Sequence, residues 1–247
     1  MDTLTAALVL LMLSPLALHA QELPVLEQTK PLYLRTDVVT DGTPAAAIVA
    51  PEDAEWQPVV ERLQARCREL TGSELPVLSP TDATPAELAT RNLIAIGNVP
   101  DNPFVERLYV EYFIRDVWRP GNDGMVVRSI HNPYNTGHNV IFVGAGSAPV
   151  AMTAVEALLE ALEHEGRSLA VPGYLLDFGP DHEVPTLTEE TKAGHAERTA
   201  EQVSFNNGRN LISGAASMAT SYANSGSPDY VELFKLYMDR HAELSGP

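Results

Sequence analysis

Residues 131–162, HNPYNTGHNVIFVGAGSAPVAMTAVEALLEAL, constrain this chain more than any other stretch. A polar loop at 131–138 runs into a short apolar segment at 139–143, which has the length and branching of a buried strand. A Gly-Ala-Gly turn follows, and then a helix whose apolar face is Val150, Ala154, Ala157, Leu158 and Ala161, with Thr153, Glu156, Glu160 and Glu163 opposite. Strand, glycine turn and helix in that order imitate a dinucleotide-binding fingerprint. Two details remove that reading. Pro149 stands where the third glycine must allow close helix–strand packing. The motif also falls late in the chain, with Glu163 and Glu165 still in or beside the same helix rather than about 20 residues on at the end of a next strand. No cofactor is therefore expected, and the glycines read as a tight connection.

The remaining sequence builds the sheet around that unit. Residues 43–50 (TPAAAIVA) and 92–97 (NLIAIG) are short apolar runs bounded by turn residues, and each predicts a buried strand. Residues 24–34 read as an opening strand region and 76–78 as a short strand. Between them, Trp56, Val59, Val60, Leu63, Cys67 and Leu70 recur at helical spacing, with Asp53 as a cap and Thr71-Gly72 as the stop. A short helix is expected at 84–89, and Asn102-Pro103 opens another as cap and first residue, reaching about residue 113. Residues 125–131 alternate with period 2 and pair by a hairpin with 139–143. Strands and helices alternate with one hairpin interrupting, so the fold class is α+β: a mixed β-sheet covered by helices in two layers, spanning residues 24–165.

Residues 166–187, punctuated by proline and glycine, read as a linker. Residues 188–247 change character and predict three helices, at 188–202, 210–223 and 228–244. Helices with apolar faces and few partners are an incomplete all-helical segment, which is expected to be a truncated domain opening.

The first 20 residues carry an apolar core at 4–18 that ends on Leu18-His19-Ala20. That core is too short for the roughly 20 residues a span requires. It fits a signal peptide cut after Ala20, although Asp2 stands where a basic residue is usual. A secreted or periplasmic location follows as the expectation, with no membrane span after cleavage. The formal net charge of −17, from 33 acidic and 16 basic residues, repels phosphate backbones, so nucleic acid is excluded as a partner. Cys67 is the single cysteine, so no intrachain disulfide forms, and its place on an apolar helix face reads as core rather than nucleophile.

Chemistry-bearing residues concentrate in the 131–138 loop. His131, Tyr134, Asn135 and His138 are the candidate binding residues, since such side chains hydrogen-bond and stack on sugars. A solvated structural loop is the competing reading. His131 and His138 lack the third and fourth ligands that zinc requires, so no metal is expected there. Asp116, Asp123, Asp177, Asp181 and Glu183 are abundant carboxylates without a pairing to single out. No G-x-S-x-G, HExxH or P-loop occurs, and no catalytic residue is assigned.

Several of these stretches carry a resemblance. AAIVAPEDAE with its amphipathic helix, Thr71-Gly72 with Ser-Glu-Leu-Pro, NLIAIGN and the 131–162 unit together resemble a known domain. It is the non-catalytic N-terminal α/β domain of bacterial alpha-glucuronidases and family-20 beta-hexosaminidases. The run from Tyr222 to Phe234 is similar to helix-hairpin turns of α/α toroid polysaccharide lyases and hydrolases. The resemblance implies an exported accessory domain plus the N-terminal fragment of a carbohydrate-active enzyme, a glycoside hydrolase or polysaccharide lyase. A carbohydrate polymer would then be met through the parent enzyme, and the fragment would be inactive alone. The alternative is a stand-alone glycan- or protein-binding module without enzymatic activity.

Overall fold

The computed structural model describes residues 30–114, 124–179, 182–203 and 208–245. The expected leader at 1–20 and most of the expected opening strand at 24–34 lie outside the described residues. In chain order the strands are β1 (Thr36–Thr40), β2 (Thr43–Pro44), β3 (Ala46–Val49), β4 (Val77–Leu78) and β5 (Asn92–Gly97), then β6 (Met125–Ile130), β7 (Val140–Ala145), β8 (Glu163–Glu165), β9 (Ser168–Val171) and β10 (Leu176–Asp177). The α-helices are α1 (Gln57–Thr71), α2 (Pro103–Val110), α3 (Ala148–Ala161), α4 (Glu189–Ala200), α5 (Gly208–Ser225) and α6 (Pro228–Ser245).

The main sheet has six strands in the order β10-β6-β7-β5-β3-β4. Strands β4, β3, β5 and β7 run parallel, whereas β6 and β10 are antiparallel to their neighbours. The expected hairpin is present, with Met125 opposite Ala145 and Ile130 opposite Val140. The α+β class holds, and helices cover the sheet on both faces. Ile48, Ile94, Ile96, Ile141 and Val143 point toward α1 and α3, where they meet Leu63, Cys67, Ala154 and Leu158. Their alternate neighbours Ala47, Val49, Leu93, Ala95 and Phe142 meet Phe104, Val105 and Leu108 of α2, which adds a layer on the opposite side. Strands buried on both faces explain why β3, β5 and β7 read as continuous apolar runs.

Helix ends follow local chemistry. Helix α1 stops at Gly72, whose φ of +77° only glycine adopts without strain. Helix α2 opens on Asn102, whose side chain accepts hydrogen bonds from the backbone N–H groups of Phe104 and Val105. In α3 the buried face is Ala148, Ala151, Ala154, Val155 and Leu158. That is rotated from the expected stripe, because the helix starts directly after the glycine turn and is apolar around most of its circumference.

Residues 166–187 differ from the linker reading. Strand β9 pairs with β1 in a second sheet, ordered β2-β1-β9-β8, and buries Leu169, Ala170 and Val171, while β10 extends the main sheet beside β6. Three apolar residues between Ser168 and Pro172 are too few to reveal a strand by periodicity alone. Helices α5 and α6 share a small core of Leu211, Ala215, Met218, Leu233 and Tyr237, and α4 joins it through His195, whose Nδ1 lies 3.0 Å from the Tyr237 hydroxyl. Gly214 lets α6 approach, since a Cβ there would stand 2.3 Å from Tyr237 Cε1. Helix α5 meets the sheet region through Ser225, whose carbonyl lies 2.8 Å from His182 Nε2, and through Gly226, which abuts the Phe178 ring. No helix among the described residues is long and apolar enough to cross a membrane.

Candidate functional site

In a parallel sheet the natural ligand position is the crevice beyond the carboxyl ends of the strands, where the strand order reverses. Here β3 is followed in sequence by β4 on one side and β5 on the other, so that point lies between β3 and β5. It is filled by the protein itself. Asn102, fully buried, donates from Nδ2 to Ile96 O at 2.8 Å and Val49 O at 3.3 Å, while its Oδ1 caps α2. Pro51 packs on Gly97, where φ is +117° and a Cβ would sit 3.1 Å from Pro51 Cγ. Next to them Asn98 Nδ2 reaches Ala145 O and Gly146 O at 3.3 Å and Asp101 Oδ2 at 2.9 Å.

The glycine turn is spent in the same way. Gly146 N–H donates to Gly124 O, so the amide a phosphate would need is occupied. Gly144 has its own reason: a Cβ would lie 2.5 Å from Phe142 Cζ and 2.8 Å from Val126 Cγ1.

The 131–138 loop lies at the opposite, amino end of β7 and is held by buried asparagines. Asn132 N–H donates to Asn139 Oδ1 at 2.8 Å, and Asn132 Oδ1 accepts from Gly137 N–H at 2.8 Å. Asn139 Nδ2 donates to Tyr33 O at 2.6 Å and to Thr36 Oγ1 at 2.8 Å. Asn92 Oδ1 accepts from Asn139 N–H at 2.7 Å, and Asn92 Nδ2 donates to Asp37 O at 2.8 Å. Left-handed backbone at Asn132, Asn135 and Gly137 closes the turn.

The four candidate residues do not converge on one ligand position. His131 stacks edge-on against Tyr174 at 6.2 Å, and burial lowers its pKa below the ordinary imidazole value. Its Nε2 is buried without a hydrogen-bond partner among the described residues. Tyr134 turns toward the end of α2, packing edge-on against Phe113 at 5.5 Å and donating its hydroxyl hydrogen bond to Glu111. Burial, then that bond, raises the Tyr134 pKa. Asn135 is exposed, and His138 is half-buried. Among the described residues no three His, Cys, Asp or Glu side chains gather as a metal site.

Of the carboxylates, Asp116, Asp123 and Asp181 lie outside the described residues. Asp177 accepts from Gly179 N–H at 2.7 Å, and Glu183 is exposed. Cys67 is fully buried, and desolvation pushes its thiol up to about 11. Sequence reasoning missed the asparagines 92, 98, 102, 132 and 139 as a set. Only Asn102 before Pro103 carried a recognisable signal. It also missed Arg128, a largely buried cation beside Tyr174 whose pKa desolvation lowers and whose Nε has no hydrogen-bond partner among the described residues. Arg128 borders a cavity of about 20 Å3 with Val126, Phe142 and Phe178, room for about one water.

No family model and no curated protein matches the chain. Solved structures give distant matches. CpGH84D aligns with a TM-score of 0.35 and 12% identity, covering 62% of this chain and 24% of that one. The Flavobacterium johnsoniae chitobiase FjGH20 aligns at 0.33 and 14% identity, covering 64% of this chain and 21% of that one. The GH20 beta-N-acetylhexosaminidase from Streptomyces coelicolor A3(2) aligns at 0.36 and 13% identity, covering 86% and 43%. This chain thus spans less than half the length of each.

Proposed function

We propose that the chain is a non-catalytic accessory α/β domain of an exported carbohydrate-active enzyme, a glycoside hydrolase or polysaccharide lyase, joined to the first helices of a further domain. The observation that carries this reading is the filled crevice at the carboxyl ends of β3, β5 and β7. Asn98, Asn102 and the Pro51–Gly97 contact occupy the place where an α/β enzyme of this topology would hold its ligand. The polar loop at the other end spends Asn92, Asn132 and Asn139 on holding strands and the segment before β1. At β3, β5 and β7 both ends are built as supports, which suits a domain that props another, while an open cleft of about 180 Å3 lies between the carboxyl ends of β3 and β4. The similarity of residues 41–162 to accessory domains of sugar-cleaving enzymes points the same way.

Two measurements test it. The purified chain is offered a panel of chromogenic glycosides and polysaccharides, and product is sought by reducing-end and double-bond assays. No product is expected, and turnover proportional to protein concentration overturns the reading. An antibody raised to the chain, applied to the source cells, is expected to find it in the exported fraction with a glycosidase or lyase activity. Confinement to the cytosol contradicts it.

A further inference from the structure

The end of α2 contains a residue in the wrong place for stability. Phe113 N–H bonds Leu108 O at 2.8 Å and Tyr112 N–H bonds Tyr109 O at 3.0 Å, which closes the helix and puts Tyr112 in the left-handed conformation at φ +65°. Glycine is the usual occupant of that position, as Gly72 is at the end of α1. A bulky side chain there is strained unless something compensates. Packing does not compensate, because Tyr112 is 94% exposed. Val110 is 63% and Tyr109 37% exposed beside it, so two tyrosines and a valine face solvent within four residues. In the same segment Phe113 packs edge to face on Tyr134, whose hydroxyl donates to the carboxylate of the exposed Glu111 and so holds it in place.

We propose that Tyr112, with Tyr109 and Glu111, is a binding platform for a neutral glycan. This rests on the reading that the chain serves a carbohydrate-active protein, and it names the side chains that touch the sugar. A pyranose offers an apolar C–H face to a phenol ring and hydroxyl groups to a carboxylate. Three side chains match one or two sugar rings but fall far below the roughly 800 Å² per partner of a stable protein interface. A formal charge of −17, with Glu111 inside the patch, turns away anionic polymers.

The test is affinity electrophoresis of the whole chain in gels containing hydroxyethylcellulose, glycol chitin or barley β-glucan, with polygalacturonate as the anionic control. Retardation is expected in at least one neutral polymer. The Tyr112→Gly variant is expected to weaken it at least tenfold while unfolding at the same or a higher temperature, since it removes the strain. Tyr112→Trp is expected to stay within about threefold of wild type. Loss of retention therefore cannot be put down to misfolding. No retardation in any neutral polymer, retardation only in polygalacturonate, or retardation that Tyr112→Gly leaves unchanged overturns the proposal. Retention that survives Tyr112→Gly removes the tyrosine platform but leaves the accessory-domain reading standing. Glycan turnover by the chain removes that reading instead.

Discussion

Asn102 is the side chain on which the filled crevice depends, and its removal has a calculable effect. It is fully buried and makes four hydrogen bonds: to Val49 O and Ile96 O as donor, and from Phe104 N–H and Val105 N–H as acceptor. Asn102→Ala removes the cap of α2, about 1 kcal/mol. It also leaves buried backbone groups of β3 and β5 short of a donor, about 1–3 kcal/mol. The expected loss is about 3 kcal/mol of unfolding free energy, measured as a lower urea midpoint at unchanged m-value. Asn102→Asp separates the two roles. A carboxylate still caps Phe104 and Val105, but it has no proton for Val49 O and Ile96 O. Protonation restores that donor, so the carboxyl pKa in the folded variant is raised. Its stability is then nearest wild type at low pH and falls as pH rises through that raised value. A cost below about 1 kcal/mol for Asn102→Ala, or an Asn102→Asp variant insensitive to pH, refutes the assignment of Asn102 as the strand-bridging plug.

Other positions give independent checks. Gly144→Ala forces a Cβ into the Phe142 and Val126 side chains and is expected to cost about 1–3 kcal/mol in urea unfolding; a neutral result means the glycine is not there for packing. Asn139→Ala frees the Tyr33 and Thr36 anchors and is expected to speed tryptic cleavage after Arg35, read by timed mass spectrometry; unchanged cleavage contradicts the anchoring role. Cys67 is expected to resist a thiol reagent at pH 8 in the native chain and to react at once in denaturant. Burial favours its neutral form, so the contribution of that form is complete below the ordinary thiol value of ~8.5 and is lost as pH rises through about 11. Native reactivity close to the denatured rate refutes that.

The sheet was legible in sequence wherever burial on both faces wrote an uninterrupted apolar run, as at 92–97 and 139–143; of the run at 43–50 only Ala46–Val49 joins the main sheet, while Thr43–Pro44 pairs with β1. The β6–β7 hairpin, the glycine stop of α1 and the asparagine cap of α2 were legible too, because turn and cap chemistry is local. Strands β9 and β10 were not, since their pairing with β1 and β6 is a long-range event carried by two to four residues. The candidate loop was located by its residue types, but their orientation was hidden. His131 turns to Tyr174 and Tyr134 to Glu111, and only packing against distant elements decides that. The buried asparagines were invisible for a related reason. An asparagine that plugs a crevice has the same letter as one that lines a solvated turn. Tyr112 gave no signal, because its exposure and left-handed backbone emerge only where α2 closes.

A supporting role for the domain requires the crevice to be shut. Two-dimensional NMR of the side-chain amides of Asn98 and Asn102 tests that, during titration with nucleotides and with neutral and acidic oligosaccharides. Both amide pairs are predicted to exchange slowly with solvent and to keep their shifts throughout. Fast exchange, or saturable shifts at Asn102 with any of these ligands, would mean that the crevice opens and binds, and the supporting-domain account would then be wrong.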